Sequence, residues 1–218
     1  MSLSRQYSFW GNLSPLGGLT GAGLLIMSSA RLSWAITVAI CLFWVYGLTA
    51  LTFSSLSSVL GKKFFPVIGK STFYACLAAF FGCIYLFLFW LICPLAALEC
   101  FFLLMLVPVF CAGSGIVQQI VSDNEKADIF DHVSDAVSRA VSLAVLMIAF
   151  SIVREPLSYC SLSFPGTYQG IVTIMYFKEN AFFPIGVFSS SAGAMLLLGY
   201  IICLYQYGRK KKNSGEDR

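Results

Sequence analysis

STFYACLAAFFGCIYLFLFWLICPLAAL, residues 71–98, contains no charged side chain. A transmembrane helix needs about 20 mostly apolar residues. This stretch is long enough to cross a bilayer once and to begin a return after Pro94. Working outward, charge-free windows also run over Leu32–Gly61, Cys100–Ser122, Ala140–Val153 and Asn180–Gly208, and a Gly-rich apolar stretch covers Leu16–Ala30. The composition agrees: of 218 residues, 58% are hydrophobic, 16% aromatic and 11% charged. Soluble domains carry about 25% charged residues, and a soluble globule of this length could not hide so much apolar surface. Disorder is excluded by the same figures. The chain reads as one polytopic, all-α membrane domain over residues 1–218.

Six membrane segments are expected, over about 15–30, 32–57, 71–92, 95–120, 134–154 and 182–207. Lys and Arg concentrate in cytoplasmic loops. With both termini in the cytoplasm, the inside segments hold Arg5, Lys62, Lys63, Lys70, Lys126, Arg209, Lys210, Lys211, Lys212 and Arg218. The outside segments hold only Arg31, Arg154 and Lys178, and Arg139 falls inside the fifth span. The basic tail, 208–218, fits a cytoplasmic, lipid-facing end. The start, MSLSRQYSFWGNLSP, lacks the pattern of a cleaved signal peptide.

Two segments stand out. The first holds Pro15 and then Gly17, Gly18, Gly21 and Gly23 within PLGGLTGAG. The fourth holds Pro108 and then Gly113 and Gly115 within VFCAGSG. Each opens one half of the chain, about 12–92 and about 95–207, and three spans per half give the halves opposite topology. Paired Gly/Pro-interrupted segments in corresponding places point to inverted repeats with broken half-helices in spans 1 and 4. Close helix packing through small residues is the simpler use of the same glycines.

Membrane-embedded charges are costly and suggest function by default. Glu99 lies near the start of the fourth span. Asp131, Asp135 and Arg139 fall at the inner end of the fifth; Asp135 and Arg139 are spaced i,i+4 and share a helix face. They suit an ion pair or a group lining a cation path. Arg154 and Glu155 close the fifth span at its outer end, where they suit interfacial anchors. DNEKADIFD, 123–131, is a short acidic loop. The eight cysteines form no CxxC and suit apolar packing, and the single histidine, His132, is expected in a loop, leaving no usual zinc set. GLTGAG follows no strand and is no nucleotide loop. There is no P-loop and no Ser/His/Asp set. No nucleic-acid partner is expected.

FWGNLSPL at 9–16 with AIT at 35–37, LVPVFCAGSG at 106–115, IFDH at 129–132, SIVREPLSYCSLSFPG at 151–166 and SSSAGAMLLLG at 189–199 occur in order. In that order and spacing they resemble the D and E subunits of the sodium-translocating NADH:quinone reductase and the related Rnf ferredoxin:NAD complex, the NqrD/RnfE branch most. The resemblance spans nearly the whole chain. It implies six spans in an inverted repeat within a bacterial inner membrane, beside a sister six-span subunit and flavin-containing subunits. It also implies a [2Fe–2S] cluster shared with the sister subunit, held by four thiolates, through which electrons cross the membrane coupled to sodium or proton movement. Cys111 matches one family cluster cysteine, and Gly23 stands where the other falls. Phe110 replaces the family's Asn and Ile116 its Arg. A stand-alone inverted-repeat secondary transporter and a redox-inactive paralogue are the alternatives.

Overall fold

The computed structural model describes residues 15–60, 67–113, 129–166, 170–176 and 186–216. Helix α1 covers Pro15–Ser28, α2 Leu32–Leu60, α3 Val67–Ile92 and α4 Pro94–Gly113. Helix α5 covers Ile129–Tyr159 and is followed by β1, Ser161–Gly166, and β2, Gly170–Tyr176. A single 3-10 turn, Gly186–Ser189, leads into α6, Ser191–Glu216. Among the described residues, four helices are long and apolar enough to cross a membrane: Leu32–Leu56, Ser71–Ile92, Pro94–Gly113 and Ala136–Tyr159. The protein is membrane-embedded and mostly helical.

The elements depart from the expected spans at several points. Helix α1 has 14 residues, about 21 Å at 1.5 Å per residue, too short for a bilayer core of about 30 Å. Its Gly run does not interrupt it. Pro15 is its first residue, where the missing N–H is no loss, and Gly21 and Gly23 lie inside. Helix α4 likewise continues through Pro108 to Gly113. A side chain at Gly82 of α3 would overlap the Pro108 ring, so the ring lies in the space that glycine leaves. Gly115 lies outside the described residues. Helix α5 begins earlier than expected and takes in His132, expected in a loop. The last helix begins at Ser191 rather than near 182, and its apolar part, Ser191–Cys203, is short. It runs on through the basic segment to Glu216.

A short antiparallel hairpin stands beside the helices. β-Branched and aromatic residues in GIVTIMY favour a strand. The strands pair antiparallel from Ser161↔Tyr176 to Gly166↔Gly170, with an irregularity between Leu162 and Ser163. Helix α5 ends with Cys160 in the left-handed region, φ 52°. Its N–H donates to the Pro156 carbonyl at 3.0 Å, a left-handed helix cap that turns the chain toward β1.

The main core joins α2, α3, α4 and α5 through Val38, Leu42, Tyr46, Tyr74, Leu104 and Met147. The most extensive helix contact is α2 with α5. Buried Ala136 and Ala140, one turn apart on α5, let helix backbones approach closely. Helix α1 packs chiefly on α4, and a side chain at Gly21 would lie 2.6 Å from the Phe110 ring. A second cluster, Ile26, Phe150, Ala194 and Leu197, ties α1, α5 and α6 together.

Replacing Gly82 by Ala is expected to lower stability by about 1–3 kcal/mol through overpacking. Gly47→Ala, on an α2 face where an added Cβ meets nothing within 4 Å, is expected to be neutral or to stabilise by up to about 1 kcal/mol. Melting of the two variants in one mild detergent checks both signs.

Candidate functional site

Arg154 and Glu155 sit next to one another on α5 and are each 1% exposed. At the outer end of the expected span, they are enclosed by the chain itself. They serve opposite sides of the connection between α1 and α2. The Arg154 guanidinium donates from Nη1 to the Ile26 carbonyl at 2.5 Å and to Ser29 Oγ at 2.9 Å, at the C-terminal end of α1. It donates from Nε to the Phe188 carbonyl at 2.8 Å. From Nη2 it donates to the Ser189 and Ser190 carbonyls, each at 3.1 Å. A guanidinium has five N–H donors, and five acceptors meet them. Glu155 accepts the Leu32 backbone N–H on Oε2 at 2.8 Å, at the N-terminus of α2.

The signs follow from the helix macrodipole. The C-terminal end of a helix carries partial negative charge and attracts a cation; the N-terminal end attracts an anion. Helix α1 ends and α2 begins across residues 29–31. The cation of the Arg–Glu pair meets the first end, and the anion meets the second. A buried charge needs such partners, because its desolvation is otherwise very costly.

The other half of the clamp is built by SSSAG. Ser190 caps α6: Gly193 N–H donates to Ser190 Oγ at 3.2 Å, and Ala194 N–H to the Ser190 carbonyl at 3.1 Å. A side chain at Gly193 would run into the Val187 carbonyl. The 3-10 turn therefore lies flush against α6, with the carbonyls of 188–190 in reach of Arg154. Arg31, in the turn itself, places its guanidinium 5.8 Å from the Trp34 ring centroid and 5.4 Å from that of Tyr159. Two cation–π contacts thus tie the turn to α2 and α5.

Beside the clamp lies a cavity of about 300 Å³. Ile26, Met27 and Trp34 line it from α1 and α2, Glu99 and Phe102 from α4, and Arg154 from α5. Glu99, an exposed residue, thus lines the same cavity as Arg154, which nothing in its sequence neighbourhood indicated.

The remaining candidates lie elsewhere. Arg139 is half-buried on α5. Asp131 and Asp135 share that helix, but their side chains lie outside the described residues. Cys111 is fully buried, and its thiol lies 3.7 Å from the Tyr74 hydroxyl of α3. Gly23 offers no side chain, and an added Cβ there would meet nothing within 4 Å. Among the described residues, no three of His, Cys, Asp and Glu come together as a metal set. These residues do not fit a share in a four-thiolate cluster: one of the two positions has no donor, and the other thiol packs inside its own chain against a phenol.

Fold and site define a polytopic helical membrane protein pinned at one end by a buried Arg–Glu pair. No protein-family model matches the chain, and no curated protein matches it.

Arg154→Ala is expected to cost about 3–5 kcal/mol, the range for breaking a buried charged network. Arg154→Lys is expected to recover little, because a single ammonium lacks the planar fork that spans two chain segments. Glu155→Gln keeps an acceptor for Leu32 and loses only the charge, so a loss of about 1 kcal/mol is expected. Unfolding midpoints in detergent give the ranking Arg154→Ala, Arg154→Lys, then Glu155→Gln.

Proposed function

We propose that the chain is an integral subunit of an ion-translocating NADH:quinone or ferredoxin:NAD oxidoreductase complex, moving sodium or protons, in a bacterial inner membrane with both termini in the cytoplasm. One observation carries it. Two of the sequence stretches that resemble the NqrD/RnfE branch, SIVREPLSYCSLSFPG and SSSAGAMLLLG, are remote in the chain and meet in the Arg154 clamp. A motif order kept for architecture is what a family scaffold requires. Inverted repeats find support in the packing: first helix lies on first helix, α1 on α4, and second on second, α2 on α5. Elements related by a two-fold axis in the membrane meet in this way.

The subunit acts as scaffold. Its membrane helices, with a sister six-span subunit and flavin-containing subunits, frame the mid-membrane path for electrons.

The cavity beside Glu99 favours a second function, a stand-alone inverted-repeat secondary transporter. Anaerobic extraction in mild detergent, followed by identification of co-purifying proteins, separates the two. A scaffold brings down a sister six-span subunit and flavoproteins. Recovery of the chain alone, with solute uptake by the purified protein in liposomes, contradicts it. In the assembled complex, Cys111→Ala is expected to leave iron content and electron flow unchanged; loss of either makes Cys111 a ligand.

A further inference from the structure

PLSYCSLSFPGTYQGIVTIMYF, residues 156–177, runs without a charged side chain between Glu155 and Lys178. The β1–β2 hairpin lies inside it. A strand edge that faces water is usually blunted by charge, above all lysine, or by proline. Strand β1 carries Pro165 and packs on α2 and α5. Strand β2, GIVTIMY, has neither charge nor proline, and among the described residues it pairs with β1 alone.

The polarity of the hairpin is inverted. Cross-strand partners share a face of the sheet. The pair Ser163↔Thr173 turns inward, with Ser163 buried and Thr173 half-buried. The next pair, Phe164↔Val172, turns outward and is exposed. Beyond the irregularity, Ile174 is 62% and Tyr176 81% exposed. The hydroxyl side chains thus face the protein, and the apolar ones face away. An antiparallel sheet in water shows the reverse.

Two observations set the medium. Strand β2 packs beside α4, a membrane span on which Leu95, Leu98, Phe101 and Phe102 are exposed. The hairpin therefore stands beside apolar surface that a bilayer covers. The pairing of Ser161 with Tyr176 also sets Tyr176 close to the end of α5, where Tyr159 and Trp34 flank the Arg31 guanidinium. Tyrosine and tryptophan gather where bilayer meets water, and arginine keeps its head there while its stem lies on apolar surface. That belt gives the hairpin its depth. In the hydrocarbon core the open edge of β2 would leave peptide groups without partners; at the headgroup level water still reaches them.

We propose that the outer face of the hairpin, Phe164, Val172, Ile174 and Tyr176, lies in the membrane interface in contact with phospholipid. The hairpin anchors the clamp end of the chain, its apolar face set shallowly at the boundary of headgroups and acyl chains, as interfacial helices set theirs. The anchor stands whether or not the chain belongs to a redox complex.

Two labels test it on the wild-type full-length chain in phosphatidylcholine nanodiscs. A carbene released from a lipid-soluble diazirine marks side chains that touch lipid. Hydroxyl radicals generated in water oxidise methionine that water reaches. Peptide mass spectrometry is expected to find carbene label on 171–176, as on 95–102 of α4, with Met175 oxidised more slowly than in the unfolded chain. Depth is read with Val172→Trp. Its added fluorescence is expected to be quenched more by phosphatidylcholine brominated near the headgroup than by the same lipid brominated near the chain ends. The wild-type labelling decides lipid contact even where the variant fails to fold. Absence of carbene label on 171–176 overturns the proposal: with fast oxidation the strand lies in water, and with slow oxidation a protein surface covers it, such as a strand added by a second copy. Stronger quenching by the deep bromines overturns it as well.

Discussion

A fully buried guanidinium with five hydrogen bonds holds three separate parts of the chain together. Arg154 lies on α5, but its acceptors belong to the end of α1 and to the turn before α6. Its neighbour Glu155 holds the start of α2. Without these partners the charges would carry a large desolvation cost. With them, one dipeptide fixes where α1 stops, where α2 starts and where α6 docks. The apolar cluster of Ile26, Phe150, Ala194 and Leu197 joins the same three helices and shields the network.

Helix α1 depends on this arrangement most. Its 14 described residues are too few to cross a bilayer core of about 30 Å. It is held instead by the clamp at its C-terminal end and by Gly21 against Phe110 lower down. Phe110, the neighbour of Cys111, serves as the packing partner of α1. Gly82 and Pro108 set the approach of α3 to α4 in the same way. Gly21 and Pro108, two of the residues that suggested broken helices, work here as close-contact points between helices.

The long spans were legible because a run of apolar residues is a local signal. Helices α2, α3 and the start of α4 fall within a few residues of their expected limits. The hairpin was not, because the stretch between the fifth and sixth spans holds too few residues for a clear strand alternation. The early start of α5 was hidden by the acidic residues 123–131, which read as a loop, though a helix extending beyond the membrane tolerates charge. Arg154 and Glu155 were visible as membrane charges, but their roles were not. Their partners lie 34 to 36 and 123 to 128 residues away, and most are backbone groups, which leave no trace in a residue pattern. Glu99 was visible as a charge near a helix start, and only the fold brings it to the cavity wall shared with Arg154.

Amide hydrogen exchange, read by mass spectrometry on the wild type and on Arg154→Ala in the same detergent, tests the clamp most directly. Exchange reports local opening segment by segment. The clamp predicts that residues 26–33 and 187–194 lose protection together in the variant, while the centres of α2 and α3 keep theirs. Loss confined to the neighbours of residue 154 on α5, with both remote segments unchanged, would contradict it.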